Sequence, residues 1–158
     1  MELYRITKKG NAKAGMELNG LGGLYSGGRW HSEGQLISYC ASSRALAMLE
    51  RLVHDNTDIL SDDLVVLIIY IPDNIAMTSY VEGQLPDGWD SVPEGYESVS
   101  VGDGWLANGE TCCMKVPSAL CQDEYNVIIN PAHADINQIK VIDNKAFHYE
   151  KRLGGLLK

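Results

Sequence analysis

A single-domain α+β fold is what this sequence predicts, on three observations. One segment, Ser42 to His54, holds the start signals and apolar spacing of a helix. Six or seven other stretches are short, β-rich and bounded by Pro, Asn or Asp. No Pro/Gly/Ser-rich linker and no internal repeat divides the 158 residues, and 45% hydrophobic content is enough for one core, so residues 1–158 are expected to form one domain.

Taken in order, "ELYRIT" alternates apolar and polar side chains and reads as a first strand, with Leu3, Arg5 and Thr7 on one face and Tyr4 and Ile6 on the other. A glycine-rich stretch follows, "YSGGRWHSEG" from Tyr25 to Gly34. Gly27 and Gly28 would let backbone approach a ligand closely, and Trp30 would pack the loop onto the core. Taken alone, "GGRW" reads equally well as a surface turn with an incidental arginine.

A short strand around Leu36 to Cys40 leads into a helix capped by Ser42 or Ser43. At about 100° per residue, Leu46, Leu49, Leu52 and Val53 gather on one side of it, with Arg44 and Arg51 opposite. Glu50 falls on the border, either a surface residue beside a buried stripe or a group aimed into a cleft. "LVVLIIYIP" is continuous and β-branched, which predicts a strand buried on both faces and ended by Pro72. The region around "LPDGWDSVPEGYES" is rich in turn residues and leaves room for further helices. "CCMKVP", "YNVIINP", "IKVID" and "AFHY" then read as separate short strands.

Charge and cysteine usage narrow the function. The net charge of -8 argues against nucleic acid or an anionic membrane as a partner, because both would be repelled. No Lys or Arg falls between Arg51 and Lys115, where twelve acids do, so this middle reads as solvated surface or as a face for a basic protein. The amino terminus lacks a signal-peptide run, and Leu64 to Ile71 is too short to span a bilayer, which predicts a cytoplasmic protein. Cys40, Cys112, Cys113 and Cys121 have no C-x-x-C spacing, so no metal is expected, and adjacent Cys112 and Cys113 should face opposite sides of a strand.

Several side chains have the chemistry for a nucleotide with a cationic ring. Tyr39 offers an aromatic face, Glu50 a carboxylate, and the arginines bidentate phosphate contacts, though none is diagnostic alone and Tyr39 reads more readily as a core tyrosine with its hydroxyl satisfied. Ser118, just after Pro117, could donate to a ligand or cap a turn. His54 and His133 read as structural. There is no G-x-S-x-G elbow, P-loop or G-x-G-x-x-G between a strand and a helix.

Taken together, "YR" at Tyr4-Arg5, "GGRWHSEG" at Gly27 to Gly34, "YCASSRALAMLERLVH" at Tyr39 to His54, "GDGWL" at Gly102 to Leu106, "KVPSAL" at Lys115 to Leu120, "YNVIINPAHAD" at Tyr125 to Asp135 and "FHYEKRL" at Phe147 to Leu153 resemble the RES-domain family. These segments cover nearly the full length, in family order. The resemblance implies a toxin of a type II toxin–antitoxin pair, a fold similar to the diphtheria-toxin-like ADP-ribosyltransferases, and consumption of NAD+ as substrate. Some members of the family look like NAD hydrolases or phosphorylases, the latter using inorganic phosphate, and others modify a protein by ADP-ribosylation.

By position, Arg5, Arg29, Tyr39, Glu50 and Ser118 match the family's active-site residues, and Asn130 lies in a family motif. The implied roles are catalysis by Arg29, Tyr39 and Glu50, and NAD+ contact by Arg5, Arg29, Tyr39, Ser118 and Asn130. The implied partner is an Xre-like helix-turn-helix antitoxin, to which any DNA contact would belong. A non-catalytic binding module that retains the fold is the alternative from another class.

Overall fold

The computed structural model describes residues 1–54 and 61–156. Seven strands form one mixed sheet: β1 (Glu2–Lys8), β2 (Ser38–Ala41), β3 (Leu64–Tyr70), β4 (Met77–Ser79), β5 (Cys113–Pro117), β6 (Tyr125–Ile129) and β7 (Lys140–Phe147), in the order β4-β5-β6-β2-β1-β3-β7. The edge pair β4 and β5 is parallel, and every other neighbouring pair is antiparallel. Three helices accompany the sheet: α1 (Arg44–His54), α2 (Tyr96–Asn108) and α3 (Lys151–Leu156). The α+β architecture read from the sequence is the one found.

Strand β1 occupies the place its alternation assigns. Leu3 packs with Val65, Leu67 and Ile69 in a core cluster on one face, while Ile6 joins Leu64 and Val66 in a cluster on the other. Strand β3 is thus buried on both faces, as its unbroken apolar run requires. The second face carries two separate apolar clusters. One gathers Ile6, Leu46 and Ala47 beneath α1; the other gathers Trp30, Trp89, Trp105, Met114 and Ile128. Cross-strand pairing puts Tyr39, Ala41, Asn126 and Ile128 on this same face: Ala41 belongs to the first cluster and Ile128 to the second, against which Tyr39 packs, and the Asn126 amide with the Tyr39 hydroxyl gives this strip its polar groups.

Three expectations are corrected. "IKVID" and "AFHY" are not two strands: β7 runs unbroken through them and pairs with all of β3, a register shift at Ile68/Ile69 absorbing the irregularity. Cys112 and Cys113 do not part to opposite faces. Both lie in one core cluster, because Cys112 precedes β5 and is free of its pleat. The apolar side of α1 is also turned from the expected one: Leu46 and Ala47 are buried, Leu49 and Val53 are exposed, and Glu50 and Arg51 are half-buried. Among the described residues no helix is long and apolar enough to cross a membrane.

Candidate active site

The helix that carries Glu50 is fixed at its start, its middle and its inner face. Ser43 caps it: the Leu46 amide donates to Ser43 Oγ at 3.1 Å, and the hydroxyls of Ser42 and Ser43 both donate to Glu124, next to β6. The Arg44 guanidinium lies 5.4 Å over the Tyr4 ring of β1, and the Tyr149 hydroxyl donates to the Met48 carbonyl. A helix so tied cannot roll to bury Leu49 and Val53. It presents Glu50 to the polar strip of the sheet instead.

There the Glu50 carboxylate meets two donors from two strands. Asn126 on β6 donates from Nδ2 to Oε1 at 2.5 Å, and Ser118, directly after β5, donates from Oγ to the same oxygen at 3.5 Å. Ser118 Oγ itself accepts from the Leu120 and Cys121 amides, which leaves its hydrogen for Glu50. Oε2 makes no hydrogen bond among the described residues. Beside Ser118 opens a cleft of about 350 Å³, walled by Glu82, Trp89, Asp90, Leu120 and Gln122; Glu50, Tyr39, Arg5 and Arg29 do not line it.

The glycine-rich loop is a pinned hairpin, not a free surface turn. Gly28 and His31 exchange backbone hydrogen bonds, which puts Arg29 and Trp30 at the tip. A side chain at Gly28 would come within 2.8 Å of the His31 ring and 3.2 Å of the Tyr39 hydroxyl. Trp30 is 2% exposed and stacks on Trp89 with ring centroids 5.9 Å apart. From above, Asp103 on α2 accepts from both the amide and the hydroxyl of Ser32. Gly102 lies so close that a Cβ there would sit 1.8 Å from the Trp30 carbonyl oxygen, so only glycine permits this approach of α2.

Tyr39 ties this loop to the rest of the site. Its hydroxyl accepts from the Trp30 amide at 3.1 Å and lies 2.7 Å from His31 Nδ1. His31 Nε2 faces the Ser26 carbonyl, which can only accept, so Nε2 carries the hydrogen and Nδ1 receives the Tyr39 proton. Burial pushes the His31 imidazolium below its ordinary range, against the Ser26 bond and the charge of Asp103. Burial likewise pushes the Tyr39 phenol up, the Trp30 amide opposing it, with Glu94 and Glu50 adding to the rise and Arg29 opposing it.

Two arginines reach this centre by different routes. Arg29 donates from Nη1 to the carbonyls of Trp89 and Ser91, and its Nε and Nη2 make no hydrogen bond among the described residues. The ladder between β1 and β2 holds at Tyr4↔Ala41 only, and Arg5 fills the place where it ends, donating from Nη1 to the Tyr39 carbonyl at 3.0 Å. Its Nε is buried without a partner. Burial lowers the affinity of this guanidinium for its proton, the Cys40 thiol opposing and Arg51 reinforcing the shift. The same burial pushes the Cys40 thiol up to about 12.

The predicted residues thus form two groups: Arg5 and the Arg29 loop meet at Tyr39, and Ser118 meets Glu50; the charges of Glu50 and Arg29 reach Tyr39 without a hydrogen bond among the described residues. Asn130 is part of neither group. It sits past the end of β6, where its Oδ1 accepts from the Ala132 amide and its backbone bonds Cys112. The amide that touches Glu50 belongs to Asn126, four residues earlier in the same segment, and strand alternation with the Ala41 partner was the signal that would have found it. His133 accepts from the Asp135 amide at the start of a 3-10 turn, and His54 is exposed at the end of α1. Among the described residues no three His, Cys, Asp or Glu side chains converge as a metal would need.

Comparison with known proteins adds the following. The family described as "RES domain" matches residues 2–150. The chain is 38% identical over 152 residues to the Prs ADP-ribosylating toxin of Sphingobium sp. (strain YBL2), which covers 95% of this chain and 94% of the relative. It is 35% identical over 147 residues to Toxin Res of Photorhabdus laumondii, covering 90% and 92%. Among solved structures, the M. tuberculosis MbcT-MbcA toxin-antitoxin complex contains a chain of the same fold, with a TM-score of 0.73 at 15% identity over 99% of this chain and 87% of that one.

Proposed function

The chain belongs to the RES-domain family, and from that premise we propose that it is the toxin of a toxin–antitoxin pair and consumes NAD+ by breaking the bond between nicotinamide and ribose. The observation that carries the reading is the Glu50 carboxylate, held by donors from two strands with Oε2 left over, in the strip that also holds Tyr39.

Breaking that bond sends its electron pair to the nicotinamide nitrogen, which becomes neutral, and leaves positive charge on the ribose carbon. A fixed carboxylate stabilises that charge as it develops and accepts from the ribose hydroxyls. Tyr39 flanks the nicotinamide. The buried Arg5, whose Nε has no hydrogen-bond partner among the described residues, and the free edge of Arg29 match the pyrophosphate. Ser118 orients ligand and carboxylate and is not a nucleophile. Water then adds to the ribose carbon, or inorganic phosphate does if the reaction is phosphorolysis.

The test is incubation of purified protein with NAD+, with and without phosphate, followed by chromatography of nicotinamide and of the ribose product. Free ADP-ribose marks hydrolysis, and a phosphorylated ADP-ribose marks phosphorolysis. Glu50→Ala should lower nicotinamide release by about 10²–10³-fold, the usual loss when one group stabilising a charged transition state is removed. An undiminished rate in that variant overturns the reading.

A second reading, transfer of ADP-ribose to a protein, is favoured by the 38% identity to a toxin named for that activity. Labelled NAD+ in a cell lysate separates the two. A discrete labelled protein marks transfer, and bulk loss of NAD+ without one marks hydrolysis or phosphorolysis. The proposed compartment is the cytoplasm, and the proposed partner is a cognate antitoxin of the Xre-like helix-turn-helix type. Support for an antitoxin comes from relatives that are named toxins and from the shared fold in a toxin–antitoxin complex.

A further inference from the structure

Asn126 is the one polar side chain in an otherwise apolar strand: Val127, Ile128 and Ile129 are fully buried, and Asn126 itself is 8% exposed. An amide at such a place costs stability unless it is paired. Its partner is Glu50 Oε1, at 2.5 Å. A carboxylate only accepts, so the nitrogen edge of the amide must face it, and the alternative flip would set oxygen against oxygen. The other donor, Ser118, stands at 3.5 Å and makes much the weaker bond.

We propose that Asn126 is the positioning residue for Glu50, holding Oε1 so that Oε2 faces the substrate in one fixed orientation. The inference rests on the NAD+-cleaving reading of this site. Glutamate on a helix turns about three side-chain torsions, and the cross-link to a central strand removes that freedom before substrate arrives. Asparagine suits the task because it donates at every pH and never competes for a proton. An aspartate in its place would face Glu50 with like charge.

The closing experiment uses that difference. Of the charged and titratable groups on the adjoining elements, Tyr39 on β2 feels the charge of Glu50, Arg51 on α1 acts on Arg5 of β1, and Glu124 is engaged by Ser42 and Ser43; among the described residues, Glu50 is the titratable group that bonds Asn126. In Asn126→Asp the two carboxylates repel at pH 8, so kcat for nicotinamide release should fall on the order of 10²-fold with KM changed far less. As pH falls, the pair binds one shared proton and the bridge reforms, so kcat of Asn126→Asp should rise toward acid while that of the natural protein does not.

Asn126→Ser, too short to reach Glu50, should lose kcat without any acid recovery, and should add little to the loss already present in Glu50→Ala. Wild-type kcat in either Asn126 variant at pH 8, an Asn126→Asp profile parallel to the natural one, or losses that add with Glu50→Ala would each overturn the positioning role. Full activity of Glu50→Ala alone overturns the NAD+-cleaving reading itself, so the two failures are told apart.

Discussion

Tyr39 shows how far single residues were legible. Its type and its place at the end of a strand fit a core tyrosine with a satisfied hydroxyl as well as a stacking face, and the hydroxyl is indeed engaged, by Trp30 and by His31, a partner that no spacing in the sequence names. Tyr39→Phe leaves two buried partners unsatisfied and should cost about 1–3 kcal/mol in thermal unfolding. Because burial holds His31 below its ordinary value, the unfolded chain binds the proton more readily. Stability should therefore fall as pH drops below about 6.5 and level off once the folded-state value is passed. Melting curves from pH 7.5 to 5 check this, and His31→Gln should flatten the slope. Periodicity alone leaves Glu50 a border position, since it places a residue on a helix but not the neighbour it will meet; the family resemblance is what marks it as an active-site residue.

The elements were read well where one rule decided them and poorly where packing overrode it. Strands β1 and β3 follow from alternation and from an unbroken β-branched run. Apolar spacing locates helix α1 but not its rotation, because the clamps at Ser43, Arg44 and Met48 come from distant parts of the chain. The sequence carries little sign of helix α2, because Gly102 and Gly104 weaken its local signal. Gly102 is where α2 meets the Trp30 carbonyl, so Gly102→Ala must push the helix away and should cost about 1–3 kcal/mol or more. Gly104 has open space around it, and Gly104→Ala should be neutral or mildly stabilising. Thermal unfolding of the two variants side by side separates contact from propensity. The loop bearing Arg29 should loosen in the first only, seen as a raised KM for NAD+.

At the scale of the whole molecule, the sheet order was not legible, since β6, β2, β1, β3 and β7 lie side by side through pairings between segments far apart in the chain. That order creates the functional feature. Two apolar clusters share one face without merging, and the strip that holds Asn126 collects a carboxylate and an aromatic ring, with two cations from either side, in a chain of net charge -8. A ligand bound there would touch α1, the Trp30 loop and the central strands at once, and so would brace the fold as a unit. In Glu50→Ala, where NAD+ should persist, NAD+ at a hundred times its Kd should contribute about 2.7 kcal/mol. For a domain of this size that raises Tm by about 5–10 °C. Adding Arg5→Gln should abolish most of the shift, because it removes a buried cation whose Nε has no partner among the described residues. A Tm that rises equally with and without Arg5 would place the pyrophosphate elsewhere.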